Sequence, residues 1–133
     1  DLVSRKMTDE GEAAFSKIQE IEDFIMELSS VFKNKTTELK KSLQELRSTT
    51  EWLLTQPMND RFSGAVNYLR FFARVLGGYY HLKAASAENE GDFRKKLADV
   101  YFARLLPECQ GLSTSIRSGS GDLFSLTNEE FQR

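Results

Sequence analysis

The stretch RFSGAVNYLRFFARVLGGYYHLKAASA, residues 61–87, decides the fold. Its apolar residues fall on helical spacing twice over. One stripe is Phe62, Val66, Leu69, Ala73, Leu76 and Tyr80; the second is Tyr68, Phe72, Val75, Tyr79 and Leu82. A narrow polar line of Ser63, Asn67, Arg70, Arg74, Gly77 and His81 completes the circumference. A surface helix of a small domain needs only one apolar stripe, so a helix with two is covered on most sides. The rest of a helical bundle is expected on one side and something else on the other.

Working upstream, Ala14, Ile18, Ile21, Ile25, Leu28 and Phe32 alternate spacings of four and three, which predicts an amphipathic helix. Asp9, with Glu12 three residues on, has the form of a helix start. Leu39, Leu43, Leu46, Thr50 and Leu53 repeat the pattern after KNKTTE, where Asn34 reads as a stop and Thr36 or Thr37 as a new cap. The first helix has seven acidic residues between Asp9 and Glu27 against one lysine, while Lys33, Lys35, Lys40, Lys41 and Arg47 follow. An antiparallel pair sets these unlike charges side by side, at ~0.2–1 kcal/mol for each exposed pair. Pro57 ends the second helix, and Asn59 or Asp60 is placed to cap the third.

Downstream, ENEG at 88–91 reads as a turn and Asp92 as the cap of a fourth helix with the stripe Ala98, Phe102, Leu105, Cys109, Leu112 and Ile116. Pro107 lies inside that stripe and removes a hydrogen bond to the Ala103 carbonyl, which predicts a bend without a stop. SGSG at 118–121 reads as a hinge, followed by a tail whose Leu123, Phe124, Leu126 and Phe131 are available to fold back. The expected fold is all-α, an antiparallel up-and-down four-helix bundle over residues 9–118, with a junction at 1–8 and a hinge and tail at 119–133.

Composition narrows the function. The 133 residues carry a net charge of −2, too little positive charge for a phosphate-binding face, so no nucleic-acid partner is expected. The longest uncharged runs in the aromatic stretch, 62–69 and 75–82, are far short of a membrane span, and residues 1–6 contain no apolar core of a signal peptide. These features predict a soluble chain with no membrane partner. The single cysteine fits a reducing, cytoplasmic setting. The first residue is Asp, not Met, which suggests a fragment or a processed chain.

No catalytic, cofactor-binding or metal-binding residue is assigned. His81 is the only histidine and has no nearby Cys or carboxylate at ligand spacing, so it reads as a half-exposed edge residue. Cys109 lies between Leu105 and Leu112 on an apolar stripe and reads as a packed thiol, not a nucleophile. The pairs Glu22-Asp23 and Glu129-Glu130 are adjacent in sequence and do not face one another on a helix, so they read as solvated surface. Gly77-Gly78 is more informative, because each glycine inside a helix costs ~1 kcal/mol relative to alanine. Close approach of a neighbouring helix, or a bend, would account for the pair; a phosphate cradle lacks the Lys-Ser/Thr that such loops carry. Gly78, nearer the apolar stripes, is expected to be the more tightly packed of the two.

The third and fourth helices resemble the extra C-terminal domain found in a subset of acyl-CoA dehydrogenases. The residues that carry the resemblance are Ala65, Tyr68, Leu69, Phe72, Gly77, Gly78 and Tyr79, then Lys96, Tyr101, Phe102, Ala103, Leu105, Leu106, Pro107 and Glu108. Tyr101 and Phe102 stand in the opposite order to the family's aromatics. LFSLTNEEF is similar to the family's ending, and DLVSRKM to the stretch leaving the last helix of the dehydrogenase core; the first two helices match in pattern only. The resemblance implies a flavoenzyme parent that oxidises an acyl-CoA thioester to the enoyl-CoA with FAD, a core glutamate removing the α-proton. In the family those residues lie upstream of Asp1, so none is carried onto this sequence. No cofactor is expected in the chain itself. The implied partners are the upstream dehydrogenase core and a second subunit. The competing readings are a free-standing helical module that binds a partner helix, and an enzyme in its own right.

Overall fold

The computed structural model describes residues 2–28 and 30–118, with side chains described for 11–28, 30–59 and 61–118. Every regular element among them is helical: α1 (Leu2–Met26), a 3₁₀ turn (Ser30–Phe32), α2 (Lys33–Leu54), α3 (Met58–Ala87), α4 (Phe93–Arg104) and α5 (Glu108–Ser118). The tail expected at 119–133 lies outside the described residues.

The core follows the predicted periodicity most closely in α2, where Leu39, Leu43, Leu46, Thr50 and Leu53 are all buried. They meet Ile18 and Ile21 of α1, Phe71, Val75, Tyr79 and Leu82 of α3, Ala98 and Tyr101 of α4, and Cys109 and Ile116 of α5. Of the two stripes on α3, the second packs inward and the first stays outside. Phe62, Val66 and Leu69 are each 67% exposed and Tyr80 is 52% exposed. Phe71, assigned to neither stripe, is fully buried. The inward line is completed by glycines, Gly64, Phe71, Val75, Gly78 and Leu82, at spacings of seven, four, three and four.

Polar groups between helices are satisfied in pairs. The Thr50 hydroxyl donates to the Leu46 carbonyl at 2.7 Å, so Tyr68 is the donor in its 2.7 Å bond to Thr50 Oγ1. Ser113 of α5 donates to Glu45 at 2.5 Å and sits 3.1 Å from Thr49 Oγ1. Arg47 reaches Glu22 at 3.0 Å, one of the cross-helix pairs predicted between α1 and α2, whereas Lys35 goes to Asp99 of α4 at 2.5 Å.

Several predicted boundaries are corrected. Helix α1 begins at Leu2, so Asp9 and Glu12 lie within it. Asn34 does not stop a helix: the 3₁₀ turn buries Phe32 and leads directly into α2. Thr36 and Thr37 lie inside α2 and donate back to the Lys33 carbonyl at 2.8 and 2.9 Å, the in-helix way of satisfying a hydroxyl. Pro57, with φ −58° and ψ 157°, is the residue that opens α3, its carbonyl accepting from Arg61 N at 3.1 Å, so Asn59 and Asp60 are already helical. Asp92 does stand at the head of α4, but the carboxylate that accepts the Arg94 amide, at 2.8 Å, is that of Glu88. Gly91 turns the chain ahead of it with φ +80°, a conformation glycine adopts without strain.

Pro107 does more than bend the fourth helix. The amides of Leu105 and Leu106 both bond to the Tyr101 carbonyl, at 2.9 and 3.0 Å, and α5 starts again at Glu108. The expected single bent helix is therefore two helices joined at 105–107. A proline has no amide for the Ala103 carbonyl, and here it sits just ahead of a helix start, where that loss is tolerated. The break also rotates the stripe, so Tyr101 and Leu106 are buried while Phe102 and Leu105 are only half-buried.

Candidate functional site

An apolar groove of about 700 Å³ runs between α1 and α3. Its α1 wall is Gly11, Ala13, Ala14 and Lys17; its α3 wall is Ala65, Tyr68, Leu69, Phe72, Ala73 and Leu76; Thr50, Leu53 and Leu54 of α2 contribute as well. The cause is side-chain size. Lower down, α1 and α3 meet edge to face through Phe24 and Tyr79, ring centres 5.2 Å apart, and Lys17 Nζ lies 5.7 Å from the Tyr79 ring centre. Above that point α1 presents Gly11, Ala13 and Ala14, too short to close the gap to α3. Arg61 lies at the Leu54 end, where its guanidinium donates to the Leu54 carbonyl at the end of α2 and to the Gln56 carbonyl in the connection beyond it. The exposed stripe of α3 borders the groove through Leu69 and Ala73.

Lys17 is the groove's cation towards the other end. It bonds to Glu20 at 2.6 Å, which holds its ammonium above the ordinary lysine range, so it is charged at neutral pH.

The residues weighed from sequence lie elsewhere. His81 is half-buried and stacks on Tyr101, ring centres 4.7 Å apart and tilted by 32°. No group of three or more His, Cys, Asp and Glu among the described residues is placed to hold a metal ion. Gly77-Gly78 is covered by side chains, which leaves no room for a phosphate: a Cβ on Gly77 would fall on the Tyr101 hydroxyl, and one on Gly78 would lie 3.2 Å from Leu39 Cδ1 and 3.3 Å from Leu106 Cδ1. Close packing thus holds at both positions, but Gly77, not Gly78, is the tighter. Tyr101 anchors this corner by donating to the Arg74 carbonyl at 2.6 Å, while the Arg74 guanidinium reaches Glu108 at 2.7 Å.

Cys109 is a buried, packed thiol, and desolvation pushes its pKa from 9.0 to about 11. A raised thiol pKa favours the folded state while the thiol is protonated, so this contribution is complete below pH 9 and is lost as pH rises through about 11. The unfolding free energy from urea melts is expected to fall over that window by on the order of 2 kcal/mol, and Cys109→Ala to flatten the fall. Tyr68 and Tyr101, also raised by burial, add to the loss above pH 10. An unchanged pH slope in the alanine variant would contradict the assignment to Cys109.

Tyr101, Phe71 and Arg61 are the structurally important residues that sequence reasoning missed. Counting glycines as members of a stripe would have found Phe71. Nothing local marks Arg61, whose partners belong to the preceding helix.

An all-helical domain with an apolar groove and an uncovered apolar stripe is the class these observations define. The chain belongs to the family described as acetyl-CoA dehydrogenase C-terminal like, whose model matches residues 17–127, and is thus a C-terminal domain of the acyl-CoA dehydrogenase-like proteins. No curated protein and no solved structure matches it.

Proposed function

We propose that this chain is the accessory C-terminal helical domain of a FAD-dependent acyl-CoA dehydrogenase, with a structural or assembly role and no chemistry of its own. The family match supports the parent class. The observation that carries the role is the α3 stripe of Phe62, Val66, Leu69 and Tyr80, four large apolar side chains left more than half exposed on one helix face. Such a face marks an interaction surface, and the upstream dehydrogenase core or a second subunit is its occupant. In this reading the helices pack up-and-down and antiparallel. Support comes from the reversed order of contacts: Gly11 with Leu54 and Glu22 with Arg47, then Leu53 with Gly64 and Leu39 with Gly78. FAD, the acyl-CoA and the catalytic base belong to the upstream core, and the assembly works in the cytoplasm.

The test begins with the coding sequence upstream of Asp1, which should contain a dehydrogenase core in frame. In that full-length protein, Val66→Asp with Leu69→Asp is expected to expose the C-terminal domain to limited proteolysis and disturb the subunit assembly while flavin stays bound. A start codon or an unrelated domain upstream would sink the reading, as would unchanged proteolysis and assembly. The groove favours a second reading, a free-standing module that takes an amphipathic partner helix; a chain that starts near Asp1 would bring it forward.

A further inference from the structure

We infer that the α1–α3 groove is the docking site of this chain's own residues 119–133, which lay Leu123, Phe124, Leu126 and Phe131 into it. The first argument is where α5 delivers the chain. Near its end, Ile116 Cγ2 would lie 3.3 Å from a Cβ on Gly64, and Leu53 Cδ1 would lie 3.6 Å from the same atom. Leu53 and Ala65, the neighbour of Gly64, both line the groove. The chain therefore passes Ser118 at the groove's Leu54 and Arg61 end, with Gly119 and Gly121 placed to let it reverse.

Reach is the second argument. Fifteen residues extend to roughly 50 Å at ~3.3 Å each. The groove wall from Ala65 to Leu76 covers only about 17 Å at 1.5 Å per helical residue. The segment can cross the α2–α3 connection and still run the length of the groove.

Charge supplies the third argument and disfavours a second copy as occupant. The polar line beside the exposed stripe carries Arg70 and Arg74. Arg74 is paired with Glu108, while exposed Arg70 makes no ion pair with any described side chain. Two α3 faces packed together would bring these arginines towards one another. Residues 119–133 hold Asp122, Glu129 and Glu130 against Arg133, so they bring the complementary sign together with four large apolar side chains. Phe62, Val66 and Tyr80, which are not among the groove's lining, stay outside it; Leu69, at the rim, borders both faces, and the inference is independent of what covers the other three.

The test uses the full 133-residue chain, isotope-labelled, with a nitroxide on a cysteine at exposed Ser16 beside the α1 wall, or at exposed Val100 on α4 as a control. The label at Ser16 is expected to broaden the amide signals of residues 123–131 several-fold more than the label at Val100. Arg70→Glu, or raised salt, should reduce that difference. A chain ending at Ser118 should bind an apolar fluorescent dye more strongly than the full chain. Equal broadening from both sites, or none, overturns the inference. Broadening seen only when nitroxide-bearing and isotope-labelled chains are mixed also overturns it, in favour of a second copy. Native-like signal dispersion in each variant confirms that the chain has folded.

Discussion

Truncating Phe71 to alanine is expected to cost about 3–5 kcal/mol, the range for removing a buried aromatic ring. Phe71 heads the fully buried side chains of the protein and is 0% exposed. It lies on the α3 line that also carries Gly64 and Gly78, whose missing side chains let Leu53, Ile116, Leu39 and Leu106 approach α3. That close approach leaves little freedom for the walls to collapse into the space a ring would vacate, so the cavity persists and the cost stays high. Total stability of a domain this size is about 5–15 kcal/mol, so the variant should lose a large share of it. Val66→Ala, five residues earlier, is the comparison: Val66 is 67% exposed and outside the groove, and its truncation should change the urea midpoint little in this chain. If Val66→Ala destabilises the chain as much as Phe71→Ala, the division of α3 into an inward line and an uncovered stripe is wrong.

The contrast between these two residues shows what the sequence discloses. Periodicity located five of the six buried positions of α2, because that helix faces other helices along one line and nothing interrupts its spacing; it passed over Thr49, a polar residue beside the stripe that is buried against Ser113. On α3 it recognised that two faces are apolar but not that Phe71 belongs to the inner one, since glycines do not register as apolar positions although their backbone is buried. Caps were less legible. Asp9, Asn34 and Asn59 have the right chemistry for a boundary, yet the helices start ahead of each of them, at Leu2, Lys33 and Met58. At Pro107 local chemistry prevailed over the continuing stripe: Ala98 and Ile116 share one core, but the backbone must stop and restart between them. The groove was illegible for a different reason. It exists because the small residues Gly11, Ala13 and Ala14 of α1 stand against an α3 wall some fifty positions away in sequence. The adjoining stripe, by contrast, was visible as a second apolar face.

Gly77→Ala should destabilise the protein even though alanine is the better helix former. On propensity alone the substitution in a helix interior would stabilise by ~1 kcal/mol, because alanine loses less backbone entropy. Against this, the new Cβ would lie 2.5 Å from Tyr101 Cζ and 2.9 Å from Cε2, and would fall on the hydroxyl itself. Tyr101 cannot give way at little cost. Its ring is buried and stacked on His81, and its hydroxyl is tied to the Arg74 carbonyl at 2.6 Å. Relief requires breaking that bond or moving α4 away from α3, and overpacking of this kind costs ~1–3 kcal/mol. At Gly78 the contacts are 3.2 Å and 3.3 Å to the methyls of two leucines, which can shift by a few tenths of an ångström, so Gly78→Ala should be milder. Tyr101→Phe decides whether the hydroxyl carries part of the effect. Alone it should cost ~1 kcal/mol for the lost hydrogen bond. Combined with Gly77→Ala it should cost less than the sum of the two, because the atom nearest the new methyl has gone. Urea melts of the four chains measure the cycle. A Gly77→Ala chain that melts at higher urea than the parent, or a strictly additive cycle, would mean that Tyr101 does not hold α4 against the bare backbone of α3.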